Sequence, residues 1–217
     1  MFEIFTRDGL LGILYFLPAL LISLSIHEFG HSLVAYKLGD KSQKAQGRLT
    51  LSPFAHIDLM GLIFILIFRF GWGKPVVYDD RNFKNKSKGS MLVSLSGPLS
   101  NVLLAIVLTI VMKILYEFGI TMETINSNIG SILYYMLLLA IQFNVIFAVF
   151  NMLPIPPFDG YKVLYYFLPL KAKMWVNRYE RYGIILLIVL LITRLYVVLI
   201  LPAYTLVNWL LNIILTI

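Results

Sequence analysis

The stretch SIHEFGHSLVAYKLGD, Ser25 to Asp40, places two histidines and a glutamate at the end of a long apolar run that begins near Leu10. Lipid-facing helices avoid ionisable groups, because each Asp, Lys or Arg at a helix centre costs about 3 kcal/mol. His27, Glu28 and His31 therefore need a compensating partner. In HEFGH the two histidines are four residues apart, so on a helix both imidazoles project from one face and can bind one metal ion. Glu28, next to the first histidine, can act as general base towards a water that zinc has acidified. HExxH sequences also arise by chance on solvated helices. Here solvation is not available by default, and a coordinated cation is what makes intramembrane ionisable groups tolerable. Ser23, Ser25, Gly30, Ser32 and Ala35 on the same run are small and favour close helix packing.

Composition extends this reading to the whole chain. Of 217 residues, 59% are hydrophobic and 13% charged, against about 25% charged in soluble domains. Apolar stretches of spanning length recur, which defines a polytopic membrane protein, a single domain over residues 1–217 with no appended soluble module. The first apolar run is too long for a secretory signal peptide and lacks a clear small-residue cleavage site. There is no cysteine, which excludes disulfides and thiolate metal sites.

The net charge of +7 is unevenly placed: fifteen of the 18 Lys and Arg residues fall in residues 37–56, 69–88 and 162–181. The opposite loops carry Glu3, Asp8, Glu117 and Glu123. That asymmetry is the positive-inside pattern, so the basic segments are expected in the cytoplasm. They also suit anionic headgroups better than nucleic acid.

The expected fold is an all-α helix bundle with about 4–6 membrane segments. The first helix runs from about Leu10 to Tyr36, with Pro18 as a potential kink. GRLTLSP, Gly47 to Pro53, carries a weak strand signal that allows a small β-hairpin or sheet near the active site. The apolar run Leu59 to Phe68 is about half the length needed to cross a bilayer. Both its flanks are basic, so it is expected to dip in and return or to lie at the interface. Further helices are expected over about Ser90–Leu115, Ile129–Leu153 and Tyr182–Leu201. NMLPIPPFDG, Asn151 to Gly160, should force extended backbone at membrane level, since proline cannot continue a helix. Pro202 should end the fourth helix, which leaves Arg194 inside it and the span of residues 203–217 open.

A catalytic zinc needs a third protein ligand and an open position. His56, Asp58 and Asp159 are the candidates, and spacing does not choose among them. Asp159 can equally be read as the cap of a helix that starts near Gly160.

HEFGH, SGPLSN (Ser96–Asn101) and NMLPIPPFDG, in this order and spacing, resemble the site-2 protease family of intramembrane zinc metalloproteases. RLTLSPFAHID (Arg48–Asp58) and GWGKPV (Gly71–Val76) resemble the connecting region of its small prokaryotic members, although LMG follows Asp58 where a proline is common. The similarity runs from about Leu20 to Arg181, with nothing like a PDZ or CBS module. The resemblance implies one zinc ion per chain held by His27, His31 and Asp159, with Glu28 as the catalytic base. It places Asn101 near the site as a group that steadies substrate or oxyanion, where the plainer role is an interhelical hydrogen bond; Asn151 is open to the same two readings. It also implies a membrane protein or peptide substrate, unwound before cleavage, and an active site towards the cytoplasmic side of the cell membrane.

The leading functional reading is an intramembrane metalloendopeptidase of regulated proteolysis. The rival is a non-catalytic zinc-binding membrane protein or transporter, which would not need Glu28. Three histidines are too few for a di-iron oxidase or desaturase. Oligomeric state and substrate identity are not written in the sequence.

Overall fold

The computed structural model describes residues 7–68, 71–122, 124, 125 and 128–216; Glu3, Arg69 and Glu123 lie outside the described residues. The elements are α1 (Arg7–Lys37), α2 (Ser42–Ala45), α3 (Leu59–Phe68), α4 (Lys86–Glu117), α5 (Asn128–Asn151), α6 (Asp159–Phe167), α7 (Leu170–Tyr179), α8 (Gly183–Ile192) and α9 (Leu195–Thr216). Four helical stretches, Leu11–Lys37, Lys86–Glu117, Ile129–Asn151 and Leu195–Ile214, are long and apolar enough to cross a membrane. The protein is a multi-pass helical bundle of the membrane type.

Helix α1 packs against α4 and α5, α4 against α5, and α5 against α9. The small residues of α1 make the first contact close: Ser32 and Ala35 are fully buried, and Gly30 lies against Ser96 and Ser100 of α4. Ser23 and Ser25 donate to the Ala19 and Leu21 carbonyls, both at 2.6 Å, so their hydroxyls are satisfied within the helix. Pro18 and Pro98 sit inside α1 and α4 without ending them. One apolar core joins Met112, Ile141, Val207 and Leu211, with Gln142 donating to Asn208 at 2.8 Å across α5 and α9. A second, of Ala35, Phe83 and Val93, closes the end of the bundle where the basic segments gather.

The short apolar run behaves as its length requires. α3 has ten residues, a rise of about 15 Å. Its flanks meet: Ile57 and Gly73 form an antiparallel bridge, and the Lys74 N–H donates to the His56 carbonyl at 2.8 Å. A segment that crossed would hold its ends about 30 Å apart, so this one turns back on itself instead of running through. Gly61 permits the return, because a Cβ there would strike the Trp72 carbonyl.

Three local expectations are corrected. Among the described residues GRLTLSP forms no strand, and the Ile57–Gly73 bridge is isolated. The polar contacts of GRLTLSP are to side chains and to other segments: His56 Nε2 donates to the Thr50 carbonyl (2.9 Å), and Arg48 reaches out to the carbonyls of Ala55 (2.6 Å) and Lys74 (3.3 Å). PIPPFDG turns instead of running extended, with the Phe158 N–H on the Ile155 carbonyl at 3.0 Å. The fourth helix breaks at Thr193–Arg194, where Arg194 takes φ +58°, and Pro202 lies within α9. Proline is tolerated in a spanning helix, whereas a left-handed residue ends one.

Asp40, just past α1, ties the returning chain down. Fully buried, it accepts from Ser42 N–H (3.1 Å), Gln43 Nε2 (3.0 Å), Asp79 N–H (2.9 Å) and Asn82 Nδ2 (3.3 Å). Burial pushes its carboxyl up, but the donors, led by the Asp79 N–H, outweigh that and hold it below the usual carboxylate range.

This topology has a direct check. The chain has no cysteine of its own, so Ser42→Cys and Ser87→Cys can be labelled singly with an impermeant thiol reagent. Both are expected to label from the same face of the membrane; labelling from opposite faces would make Leu59–Phe68 a crossing.

Candidate metal centre

The HEFGH segment lies within the α1 span, one-third of the way from its Lys37 end. His27, Glu28 and His31 are all buried, at 3%, 8% and 8% exposure. The i, i+4 spacing brings the His27 and His31 rings to 4.6 Å between centroids. α6 begins at Asp159, whose Oδ2 lies 3.1 Å from His27 Nε2 and 3.2 Å from His31 Nε2. The two Nε2 atoms are 3.0 Å apart. Among the described residues, these three form the group that could hold a metal ion.

The other candidates go elsewhere. Asp58 Oδ1 accepts from the Gly61 N–H at 2.8 Å and caps α3. His56 is fully buried and braces the loop through Thr50. Asp159 does not cap α6: it is the first helical residue, Phe158 holds the cap position, and no side-chain cap bond forms there.

The tautomers of both histidines follow from their partners. His31 Nδ1 is 2.7 Å from the Val93 carbonyl, which can only accept, so Nδ1 carries a proton and Nε2 is the nitrogen that can offer a lone pair to a metal. His27 Nδ1 is 2.7 Å from Asn101 Oδ1. The orientation of that amide is fixed in turn, because Asn101 Nδ2 donates to the Ser23 carbonyl (3.0 Å) and to Asn144 Oδ1 (2.8 Å). Asn144 Nδ2 donates to the Ala140 carbonyl at 2.8 Å. A chain of hydrogen bonds from His27 through Asn101 of α4 to Asn144 of α5 thus sets His27 with its Nε2 inward. Two imidazole nitrogens and a carboxylate oxygen, the atoms that can ligate a metal, then converge.

Such a cluster repels itself unless a cation sits in it. Ligand atoms about 2.0–2.1 Å from a tetrahedral zinc lie roughly 3.3 Å from one another, close to the 3.0–3.2 Å separations here. Two imidazoles and a carboxylate also form the donor set of catalytic zinc sites that keep a fourth position open. The residues fit the metal.

Glu28 stands apart from that set. Its Oε2 accepts the Val76 N–H at 2.9 Å, so the returning chain after α3 is pinned beside the cluster. Gly97 makes the approach of α4 possible, since a Cβ there would come within 2.5 Å of His31 Cε1 and 2.7 Å of His27 Cε1. Phe147 of α5 covers the His27 ring at 4.9 Å. Asn101 spends its amide on His27, Ser23 and Asn144. Asn151, half-buried, donates to the Phe147 carbonyl of its own helix at 3.0 Å. The sequence reading missed Val76, Val93, Gly97, Asn144 and Phe147. Only Asn144 carried a signal, as a polar residue in the middle of an apolar span.

A buried His–His–carboxylate cluster with a separate glutamate, set in a helical membrane bundle, defines a metallopeptidase-type centre. The comparisons agree. The model of peptidase family M50 matches residues 15–128. YwhC of Bacillus subtilis, named as a candidate zinc metalloprotease, is 37% identical over 181 residues, covering 83% of this chain and 81% of its own. Rip2 of Mycolicibacterium smegmatis, named likewise, is 31% identical over 80% of this chain and 64% of its own. MJ0611 of Methanocaldococcus jannaschii, also so named, is 34% identical over 64% of this chain and 62% of its own. This chain thus spans just under two thirds of the latter two. No solved structure matches it. The chain belongs to peptidase family M50, the site-2 protease family of zinc metalloproteases, and is a hydrolase of that class.

The donor chain behind His27 predicts a graded effect. Asn101→Ala should weaken zinc binding about 10–100-fold, the usual scale for an outer partner of a ligand histidine. Asn144→Leu should act in the same direction with a smaller effect, and Gly97→Ala should displace both rings. Competition with a chromophoric chelator measures all three; unchanged affinity in Asn101→Ala would remove the orienting role.

Proposed function

We propose that this protein is a zinc-dependent intramembrane endopeptidase that cleaves membrane-spanning or membrane-proximal segments of other proteins, as in regulated intramembrane proteolysis. The observation that carries the proposal is the convergence of His27 Nε2, His31 Nε2 and Asp159 Oδ2 within 3.2 Å of one another inside a membrane-spanning bundle, beside a glutamate that is not one of them. On this reading one zinc ion per chain is held by His27, His31 and Asp159, and residues 1–217 act as a single catalytic domain. The substrate is a membrane protein or peptide. The skewed placement of fifteen of 18 basic residues supports an active site facing the cytoplasmic side of the cell membrane.

Zinc, when bound, supplies Lewis acidity and a water acidic enough to react near neutral pH. The rest falls to the chain. Asn101 and Val93 accept from the outer Nδ1 atoms of His27 and His31, which turns both Nε2 atoms inward as the nitrogens that would hold the metal. Glu28, anchored through one oxygen by the Val76 N–H, takes the proton of the attacking water and returns it to the leaving amine nitrogen. A helical substrate hides its carbonyls in hydrogen bonds and must be opened first. The non-helical run of residues 71–79 beside Glu28 offers backbone groups to replace those bonds. In a zinc-binding protein without catalysis, Glu28 would serve only to hold the Val76 N–H.

Three variants separate base from ligand. Glu28→Gln should keep zinc and lose about 10²–10⁴-fold in cleavage of a model membrane substrate. Asp159→Ala should lose zinc and cleavage together, whereas His56→Ala should keep its zinc. Metal analysis decides the assignment: full zinc in Asp159→Ala with loss in His56→Ala would reverse it. Normal cleavage by Glu28→Gln would remove Glu28 as the base.

A further inference from the structure

Helix α7 lies between the site and the last membrane segments, and its two faces differ. The inner face is docked on α6. Lys173 Nζ donates to the Tyr166 carbonyl at 3.4 Å and lies 5.2 Å from the Tyr165 ring centre, and Asn177 Nδ2 donates to the Tyr165 hydroxyl at 3.0 Å. The face turned away from α6 exposes Met174 (61%) and Trp175 (65%), and Leu170 at the start of the helix is exposed beside them (74%). Lys171 and Arg178 are exposed between them.

On a 100° wheel, Lys171 and Arg178 fall between Met174 and Trp175, so cations and apolar groups share one surface. That mixture is wrong for water and wrong for a protein core. It suits the boundary between headgroups and acyl chains, where long basic side chains extend to phosphate while apolar neighbours sink in.

The chain beyond α7 supports the same level. Trp175, Tyr179 and Tyr182 form a ladder of rings at 4.7 and 6.3 Å, and indoles and phenols concentrate at membrane interfaces. Gly183–Ile192 follows at once with no charged residue. Exposed Arg181 stands at this junction.

We propose that the outward face of α7 is a binding surface for anionic phospholipid in the adjoining leaflet, with Lys171, Arg178 and Arg181 engaging the phosphate groups. The proposal rests on the chain being membrane-embedded and is independent of its proteolytic activity. Its inner side bears on the site, because Asn177 and Glu180 line a cleft of about 670 Å³ together with Val76, the residue that holds Glu28.

The full chain carrying Trp72→Phe and Trp209→Phe leaves Trp175 as the sole indole. It is reconstituted in phosphatidylcholine vesicles containing phosphatidylglycerol, with either lipid brominated on its acyl chains. Trp175 should be quenched, and brominated phosphatidylglycerol should quench several-fold more effectively than brominated phosphatidylcholine at equal mole fraction. Neutralising the cations together (Lys171→Gln, Arg178→Gln, Arg181→Gln) should bring that ratio near one while quenching persists, since all three are exposed and Arg181 lies only over the ring of its exposed neighbour Tyr182. Raised salt should lower the ratio in the unneutralised protein. Equal quenching by the two lipids before neutralisation would overturn the anionic preference, and no quenching by either would take α7 off the membrane. Zinc content and cleavage can be normal or lost in either outcome, so this test fails separately from the proteolytic reading.

Discussion

Everything in this bundle answers to three ligand atoms that point at one another. His27 Nε2, His31 Nε2 and Asp159 Oδ2 meet in a largely buried setting among apolar helices. Partial burial of such groups in a bilayer is costly, and a divalent cation turns that cost into binding energy. The demand propagates outward. Gly97 lets α4 come close, Val93 and Asn101 fix the rings, and Asn144 fixes Asn101 from the next helix. The polar groups of three spanning helices are thus committed to one point.

The second constraint is delivery. Asp159 reaches the histidines because α5 stops at Asn151 and the proline-rich turn lets α6 start with the carboxylate already facing α1. Val76 reaches Glu28 because α3 is too short to cross and its flanks close on each other. Asp40 and Arg48, both buried, hold that returning chain to the end of α1 and to itself. The site is therefore assembled by a long apolar helix, a broken helix and a hairpin whose two flanks close on each other.

Much of this was legible from residue type and spacing. Histidines four apart in an apolar run carry their meaning locally, and a ten-residue apolar stretch with basic flanks is too short to cross, so it is expected to return or to lie at the interface. Asp159 was legible as a candidate, but local sequence could not separate a ligand from a helix cap, because both need a short carboxylate after a turn. What stayed hidden depends on tertiary partners. The extended appearance of Gly47–Pro53 gave way to tertiary contacts: His56 takes the Thr50 carbonyl, and Arg48 reaches out of the segment to the Ala55 carbonyl. Pro202 looked like a break and is carried inside α9, while the break falls at Arg194, whose left-handed backbone no pattern announces. Gly97 looks like any small residue in a packed helix until the imidazoles lie over it.

The most direct test of the centre is X-ray absorption at the zinc edge on the purified, zinc-loaded protein. The account requires a shell of two imidazoles at about 2.0–2.1 Å, with the remaining ligands oxygen at about 2.0–2.2 Å. The chain has only three histidines and no cysteine, so the spectrum has few alternatives. Two imidazoles with oxygen completing a four-coordinate shell would agree with His27, His31 and Asp159. A third imidazole would bring in His56, and a shell of oxygen alone would exclude both ligand histidines; either result would contradict the account.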